Sequence, residues 1–304
     1  MVEADAVSVR QGIGNGETGI GKGAIAAVDE SPSSISHFSR CGPQRIVCLT
    51  EEPTETLYAL GEQDRIVGIS GFTVRPAIAR KEKPKVSAFT SAKIGEILAL
   101  KPDFVIGFSD IQSEIAAELI KQGVEVWISN HRSVDGILDY IRRLGALVGA
   151  GDKANTYADG LRQGLEQIER DSAMLARRPR VYFEEWDEPP ITGIRWVAEL
   201  IRIAGGDDVF PELSVESLAK HRILADAGEV ARRAPDIIMG SWCGKKFRPE
   251  KVAARPGWQA IPAVRDGELH EIKSPLILQP GPAALTDGVR AMAAIVRAWS
   301  QRNR

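Results

Sequence analysis

The densest group of side chains capable of chemistry is the segment 241–248, Ser-Trp-Cys-Gly-Lys-Lys-Phe-Arg. It brings together an aromatic ring, a thiol and three cations: Trp242, Cys243, Lys245, Lys246 and Arg248. The cations could pair with carboxylates or phosphates, and an arginine can do so through two parallel hydrogen bonds. The Cys243 thiolate is a soft metal ligand, but no histidine or cysteine stands at ligand spacing beside it. The segment therefore predicts an anion contact, with a solvent-exposed basic loop as the alternative.

Acidic side chains form two further groups, at Glu51-Glu52 and at 184–188, Glu-Glu-Trp-Asp-Glu. Paired carboxylates can transfer protons or hold a hard cation, so an enzyme is one class that the sequence leaves open. The sequence contains no nucleophile elbow, no His-Glu-x-x-His and no Walker motif. The glycine-rich stretch 12–23 lacks the Gly-Lys-Ser/Thr ending of a phosphate loop and is better explained as a flexible tail.

The composition excludes several classes of protein. The chain has 304 residues, of which 43% are hydrophobic, and 39 basic against 41 acidic residues give a net charge of -2. Nucleic acid is not an expected partner, because there is no basic excess and no long run of like charges. No apolar run approaches the roughly 18 residues that a membrane span requires. The cysteines, at wide and irregular spacing, predict neither a disulfide framework nor a zinc site.

The candidate residues must be positioned by an α/β pattern, in which short apolar runs alternate with helix-like stretches. In the first half the predicted strands are 46–50, 65–69, 104–106 and 124–128, and the predicted helices are 54–60, 94–100 and 114–122. Gly61 stands where a C-cap glycine belongs. Such alternation predicts a parallel sheet covered by helices on both faces.

Two consecutive helices, predicted at 134–148 and 152–176, interrupt this alternation, and Asp152 is a candidate N-cap for the second. The second helix would be about 37 Å long and would form a rigid connector. Beyond it the alternation resumes, with strands at 180–183 and 237–239 and helices at 196–204 and 285–299.

The two halves also share a spaced motif. Gly-Glu-Ile, Pro-Asp and Gly, beginning at Gly95, recur from Gly228 as Gly-Glu-Val, Pro-Asp and Gly with the same spacing. Because both copies lie between a helix and a strand, two similar lobes are favoured over a chance match. The predicted organisation is a flexible tail at 1–42, an α/β lobe at 43–150, a linking helix at 151–177 and a second α/β lobe at 178–304.

Three segments carry a resemblance to a known family: 45–50 with 59–69, then 97–107, and 196–210. With the long helix, they resemble the helix-linked (class III) substrate-binding proteins of ABC transporters over about residues 45 to 300. That family includes binders of vitamin B12, haem and iron siderophores, and the sequence is most similar to its cobalamin-binding branch. The resemblance implies two Rossmann-like lobes with parallel sheets joined by one long helix. It also implies a ligand cleft between the lobes, no cofactor of the protein's own and no catalytic residue.

The predicted cleft residues follow from that resemblance, because the family clasps its ligand with loops at the carboxyl ends of the strands. Corrins and tetrapyrroles are broad and partly apolar, so aromatic walls with a few polar groups at the rim are expected. The expected walls are Phe72, Phe89, Phe108, Trp186 and Trp242, and the expected anion contacts are Arg75, Arg195, Lys246 and Arg248. Glu51, His221 and Gln279 complete the predicted ligand-binding set, whereas Trp196, which opens a helix, is expected in the core.

A metal contact from the protein is left open. His221 and His131 are candidate axial ligands to cobalt or iron, since a neutral imidazole suits both metals. Isolated histidines are more often surface residues than metal ligands. Aromatic and basic loops are expected in binders of haem, cobalamin and siderophores alike. The sequence therefore does not choose the ligand.

The resemblance also implies docking on a membrane permease through one acidic residue in each lobe. The family position of that acid falls on Gly95 and Gly228 here, and Glu96 and Glu229 lie one residue later. One residue turns a side chain by about 100° around a helix, so the displacement puts permease docking in doubt.

The predicted function is that of an ABC-importer substrate-binding protein, a monomer that binds cobalamin or a related metal chelate without chemistry. The alternative is a cytosolic binding protein or enzyme for a corrinoid or other metal cofactor, which has kept the fold without the permease. The displaced glutamates and an N-terminus without a secretory-signal pattern favour the alternative. Family membership implies a location outside the inner membrane and the N-terminal residues imply the cytoplasm, so the compartment stays open.

Overall fold

The first lobe is built on five short strands. The computed structural model describes residues 42–303, so the predicted tail lies, apart from Gly42, outside the described residues. The strands are β1 (Ile46–Cys48), β2 (Ile66–Ser70), β3 (Lys85–Ser87), β4 (Phe104–Phe108) and β5 (Val126–Ser129). All are parallel, in the order β3-β2-β1-β4-β5. The helices are α1 (Glu51–Ala59), α2 (Ala79–Glu82), α3 (Ile94–Ala99), α4 (Ser113–Lys121) and α5 (Val134–Leu147).

The second lobe has a smaller mixed sheet. Its strands are β6 (Arg180–Asp187), β7 (Pro190–Thr192), β8 (Asp207–Asp208), β9 (Ile237–Gly240) and β10 (Leu269–Glu271). They lie in the order β10-β9-β6-β7, with β8 also on β6, and β7 alone is antiparallel to its neighbour. The helices after the linker helix α6 (Gly151–Ala173) are α7 (Arg195–Ile203), α8 (Pro211–Ser214), α9 (Gly228–Arg233), α10 (Pro249–Ala253), α11 (Pro262–Arg265), α12 (Ser274–Ile277) and α13 (Val289–Arg302).

The linker helix α6 packs against both lobes. Its buried stripe consists of Ala154, Ala158, Leu161 and Leu165, which recur at helical spacing. The stripe faces α5 in the first lobe and α7 and α13 in the second. At the crossing with α5, a Cβ on Gly145 would lie only 2.1 Å from Cβ of Ala154, so glycine is what lets the two helices approach. One hydrophobic core therefore runs from the first lobe through α6 into the second.

The structure confirms the predicted fold class, two α/β lobes with mainly parallel sheets, and differs in its details. The regular part of the closing helix begins at Val289, after a π-helical turn at Ala284–Gly288, and not at Leu285. Asp152 is not the N-cap of α6, because Ala150 occupies that position. Gly61 does follow the end of α1 with a φ of 76°, as its predicted C-cap role requires.

Candidate functional site

A cleft between the lobes encloses a cavity of about 310 Å³. Its first-lobe wall comes from the carboxyl ends of three strands: Phe89 beyond β3, Phe108, Ser109 and Asp110 at β4, and Arg132 beyond β5. Its second-lobe wall includes Glu185, Ile194, Trp196, Lys220, Arg222 and Leu278. Parallel strands bring their carboxyl ends to one edge of a sheet, which explains why loops so distant in sequence meet there.

Two arginines bring guanidinium groups into the cleft, where Asp110 and Glu185 partly balance their charge. Arg222 is 1% exposed and binds Glu185 through two hydrogen bonds of 2.6 and 3.2 Å, and it also donates to the carbonyl of Thr192. Arg132 is half-buried and lies over the Phe108 ring, with the guanidinium carbon 4.7 Å from the ring centroid. Burial lowers the pKa of Arg132 against the nearby charge of Asp110, which is 3.6 Å away, and the charge of Arg222 also lowers it.

Each of these arginines has an unused donor. The Nε atoms of Arg132 and Arg222 are buried and have no hydrogen-bond partner among residues 42–303. An unpaired buried N–H of a cation is costly unless a ligand or water satisfies it. The residues around the cleft therefore leave part of the hydrogen-bonding capacity of both guanidinium groups unused, which suits an anionic or carbonyl group of a ligand.

Aromatic rings form the apolar part of the same wall. Phe108 and Trp196 meet edge to face with their centroids 6.4 Å apart. The indole N–H of Trp196 donates to the carbonyl of Ile277 at 2.8 Å, which fixes the orientation of the ring. The Trp196 side chain is 3% exposed. Trp196 was expected in the core and is buried, but it also lines the cleft with Phe89 and Phe108. The site combines flat apolar surface with cations, as expected for a planar ligand with an anionic edge.

The structure corrects the prediction that Trp242 lines the cleft. Its side chain is 3% exposed and packs edge to face on Phe247 in the core of the second lobe. Its indole N–H donates to Glu184 at 3.0 Å, and Glu184 also binds Arg255 and Tyr182. Trp242 is held inward because the fully buried Glu184 carboxylate requires these donors.

The basic segment 241–248 does not reach the cavity. Lys245 covers the ring of Trp186, with Nζ 3.8 Å from its centroid, and also binds Asp187 at 2.7 Å. Trp186 itself donates to the carbonyl of Glu188. Lys246 and Arg248 are exposed to solvent. Trp186, Lys246 and Arg248 are thus not among the residues that line the cavity, which favours the alternative of a solvated basic loop.

Other predicted contacts have partners elsewhere. Arg75 binds Glu55 at 2.9 Å and Asp287 at 2.8 Å, so its charge is already matched. Arg195 is on α7 and pairs with Glu199 at 2.9 Å. His221 is exposed, 3.3 Å from Glu216. None of these three lines the cavity, and neither do the exposed Phe72 and the buried Gln279.

Glu51 is buried at the start of α1 with Glu52 beside it. Burial, and then the neighbouring Glu52 and Glu55, raise the pKa of Glu51 to about 8. Burial raises the pKa of Glu52 to about 7, against the hydrogen bond that Glu52 accepts from Thr50. Glu51 does not line the cavity, and at neutral pH its carboxyl is protonated and can donate a hydrogen bond.

His131, the other candidate metal ligand, has both ring nitrogens occupied. Nε2 lies 2.7 Å from the carbonyl of Pro280, and Nδ1 lies 2.5 Å from the hydroxyl of Ser129. Since a carbonyl only accepts, Nε2 carries the proton and Nδ1 accepts from Ser129. Among the described residues there is also no cluster of three or more His, Cys, Asp or Glu that could hold a metal ion.

Comparison with known proteins decides the family. A model described as periplasmic binding protein matches residues 46–276, most of the chain. The chain belongs to the periplasmic binding protein family. A vitamin B12-binding protein from Vibrio parahaemolyticus is 25% identical, covering 80% of this chain and 86% of that relative. An uncharacterised ABC transporter substrate-binding lipoprotein from Bacillus subtilis is 24% identical, covering 83% of this chain and 79% of its own length.

Solved structures show that this periplasmic binding protein has the fold of its family. A periplasmic haem-binding protein from Roseiflexus superposes with a TM-score of 0.71 and 22% identity, covering 84% of this chain and all of the other. The class of helix-linked substrate-binding proteins expected from the sequence is thereby confirmed.

The two glutamates expected at a permease interface differ in their surroundings. Glu96 is exposed on α3 and pairs with Lys93 at 2.9 Å. Glu229, on α9, binds both Arg232 and Arg233, at 2.6 and 2.9 Å, which lowers the pKa of its carboxyl.

No helix in residues 42–303 is long and apolar enough to span a membrane.

The two arginines that line the cavity, Arg132 and Arg222, were not predicted from the sequence. The predicted residues were instead the histidines that precede them, His131 and His221. Arg132 could have been found, because it directly follows β5 and the same rule of carboxyl ends applies to that strand. For Arg222 the sequence offers no such signal, since it follows a 3-10 turn, Ala219–His221.

Proposed function

We propose that this protein is the substrate-binding protein of an ABC importer and holds a metal chelate, such as cobalamin, haem or a ferric siderophore, in the interlobe cleft. It would bind its ligand as a monomer, without catalysis and without a cofactor of its own. The names of the relatives support the class of ligand: a vitamin B12-binding protein in sequence and a haem-binding protein in structure.

The observation that carries the proposal is the pair of unpartnered arginine Nε atoms beside the aromatic wall of the cleft. A corrin or porphyrin bears carboxylate or amide groups around a flat ring. Its ring would lie against Phe89, Phe108 and Trp196, and an edge group would receive N–H donors from Arg132 and Arg222. Charge-assisted hydrogen bonds of this kind are about twice as strong as neutral ones.

The size of the cavity limits how the ligand would lie. The enclosed 310 Å³ is near the lower end of the range for small-molecule pockets, about 300 to 1,000 Å³. An edge of a macrocycle would therefore enter, while the remainder projects toward the mouth, near Ile111 and Lys220. The contacts that select the ligand are then those of its edge group.

The test is a titration of the purified protein with cyanocobalamin, haemin and ferrichrome, followed by tryptophan fluorescence and by the visible spectrum of each ligand. We expect saturable binding of at least one of them. Arg132→Gln should weaken that binding about tenfold, the effect of losing one charge-assisted contact of about 1.4 kcal/mol.

The matched control is Arg202→Gln, which removes an arginine that lies on α7 outside the cleft and pairs with Glu169. It should leave the affinity unchanged. If none of the three chelates binds, the proposed ligand class is wrong. If Arg202→Gln weakens binding as much as Arg132→Gln, the cleft is not where the ligand lies.

A second candidate is a chelate-binding protein that works without a permease, and the double pairing of Glu229 favours it. A carboxylate already bound by two arginines is a poor docking group unless those bonds are exchanged. Under the main proposal, Glu96→Ala with Glu229→Ala should abolish ligand uptake by cells that express the protein, with the affinity for the ligand unchanged. Unchanged uptake would favour the second candidate.

A further inference from the structure

The first lobe contains another cavity, of about 420 Å³, at the open edge of its sheet. We call it the edge cavity. The edge cavity lies along β5, which is the edge strand of the sheet beside β4, and along the first turns of α5. The residues that define its chemistry are Trp127, His131, Arg132, Asp139, Tyr140 and Arg143. Arg132 is the one residue that lines both this cavity and the interlobe cleft.

One wall of the edge cavity is a stack of rings. His131 lies on Tyr140 with the centroids 4.5 Å apart and the planes 22° from parallel, and Trp127 lies 5.4 Å from Tyr140. Burial, together with the charges of Arg132 and Arg143, lowers the pKa of His131 to about 4 against the hydrogen bond to Pro280, so the imidazole is uncharged at neutral pH. Its two hydrogen bonds, to Ser129 and Pro280, hold the ring in place. The wall is thus flat, neutral and fixed before any ligand arrives.

The charge of the edge cavity is positive. Arg143 is exposed and makes no hydrogen bond or ion pair with any other residue of the described part of the chain. Arg132 adds a second guanidinium, whose Nη2 lies 3.6 Å from Asp110 and donates to Ser109, while its Nε is buried without a partner in that part of the chain. The lining has one carboxylate against these two cations: Asp139, which is exposed and lies 3.7 Å from Arg142 outside the cavity.

We propose that the edge cavity is a second binding site, and that it takes a small aromatic carboxylate. A ring would lie against the partly exposed Trp127, which packs on the stack of the buried Tyr140 with His131, and the carboxylate would pair with Arg143. The aromatic wall disfavours a bare inorganic anion, and the free arginine disfavours a neutral ring. The proposal does not rest on the ligand proposed for the interlobe cleft, although Arg132 lines both cavities.

The test is isothermal titration of the full-length protein with 2-naphthoate, with neutral 2-naphthamide and with acetate. We expect one saturable site for 2-naphthoate and much weaker binding of the other two probes. Arg143→Gln should weaken 2-naphthoate about fivefold, as for a partly exposed charge pair. Trp127→Leu should weaken it as well, through loss of the stacking surface.

Two control variants make the result decisive. Arg162→Gln removes an exposed arginine on α6, which pairs with Asp135 at 3.1 Å outside the cavity, and should leave the affinity unchanged. Phe89→Ala alters the interlobe cleft alone and should also leave it unchanged. Equal affinities for Arg143→Gln and Arg162→Gln would overturn the proposal. It would likewise be overturned if Phe89→Ala, and not Arg143→Gln, removed the binding, because the probe would then lie in the cleft.

Discussion

Glu51 and Glu52 are buried neighbouring carboxyls whose pKa values are raised from 4.5 to about 8 and about 7. Between pH 4.5 and pH 8 the folded state thus binds more protons at this site than the unfolded state. These groups therefore make the free energy of unfolding fall as the pH rises through that window. We expect Glu51→Gln to remove much of this fall and to raise the stability at pH 8.5 by a few kcal/mol, at about 1.4 kcal/mol per pKa unit.

Urea unfolding midpoints at pH 5 and pH 8.5 check this prediction. The control is Glu96→Gln, which changes an exposed glutamate and should leave the pH profile as it is. A Glu51→Gln profile that parallels that of the unsubstituted protein would show that Glu51 is ionised in the folded state at neutral pH.

The buried carboxylate of Glu184 supports a second prediction for single residues. It is fully buried and binds Arg255, Trp242 and Tyr182. Arg255→Leu would leave this buried carboxyl without its cationic partner and short of donors, so we expect a loss of about 3 to 5 kcal/mol in the free energy of unfolding. Adding Glu184→Leu should recover most of that loss, because the unsatisfied buried carboxyl is gone. Chemical denaturation of both variants tests this, and a double variant no more stable than the single one would contradict it.

At the scale of elements, the packing of α6 on α5 depends on Gly145. Its Cβ position would be 2.1 Å from Cβ of Ala154, whereas Gly160 on α6 has no atom within 4 Å of its own. Gly145→Ala should therefore force the helices apart and destabilise the protein by about 2 kcal/mol. Gly160→Ala should stabilise it by about 0.5 to 1 kcal/mol through helix propensity. Thermal melting of the two variants checks the pair, and equal melting temperatures would refute the role given to Gly145.

The elements differ in how far the sequence could predict them. Continuous apolar runs such as Ile46-Val47-Cys48 become central strands, because a strand covered on both faces must be apolar along its length. The edge strands β3, β7 and β10 were missed. They are three residues each and include Lys85, Pro190 and Glu271, since an edge strand does not need a continuous apolar run.

The site was predictable at the level of loops and not of side chains. Strand order and the rule of carboxyl ends locate the cleft, and Phe89 and Phe108 line it as expected. Trp242 and Arg75 also lie in loops that follow strands, but they do not line the cavity. Trp242 is held by the Glu184 carboxylate, and Arg75 is held by the carboxylates of Glu55 and Asp287. Those partners are distant in sequence, so no local pattern reveals them.

For the whole molecule, the contact between the lobes is more than the linker helix. Glu55 accepts a hydrogen bond from the backbone N–H of Ala283 at 3.1 Å, and Arg75 joins Glu55 to Asp287. The segment 280–287 of the second lobe is thereby fixed to α1 of the first, and Gly281 lies directly against Glu52.

Arg75→Met would remove both ion pairs, which at this partial exposure amount to about 1 kcal/mol. We expect hydrogen exchange of the Ala283 amide to become about fivefold faster, whereas Arg202→Met, with its pair to Glu169 on the outer surface, should leave that amide unchanged. An Ala283 exchange rate that Arg75→Met does not alter would mean that the continuous core, and not these polar contacts, determines how closely the lobes are held.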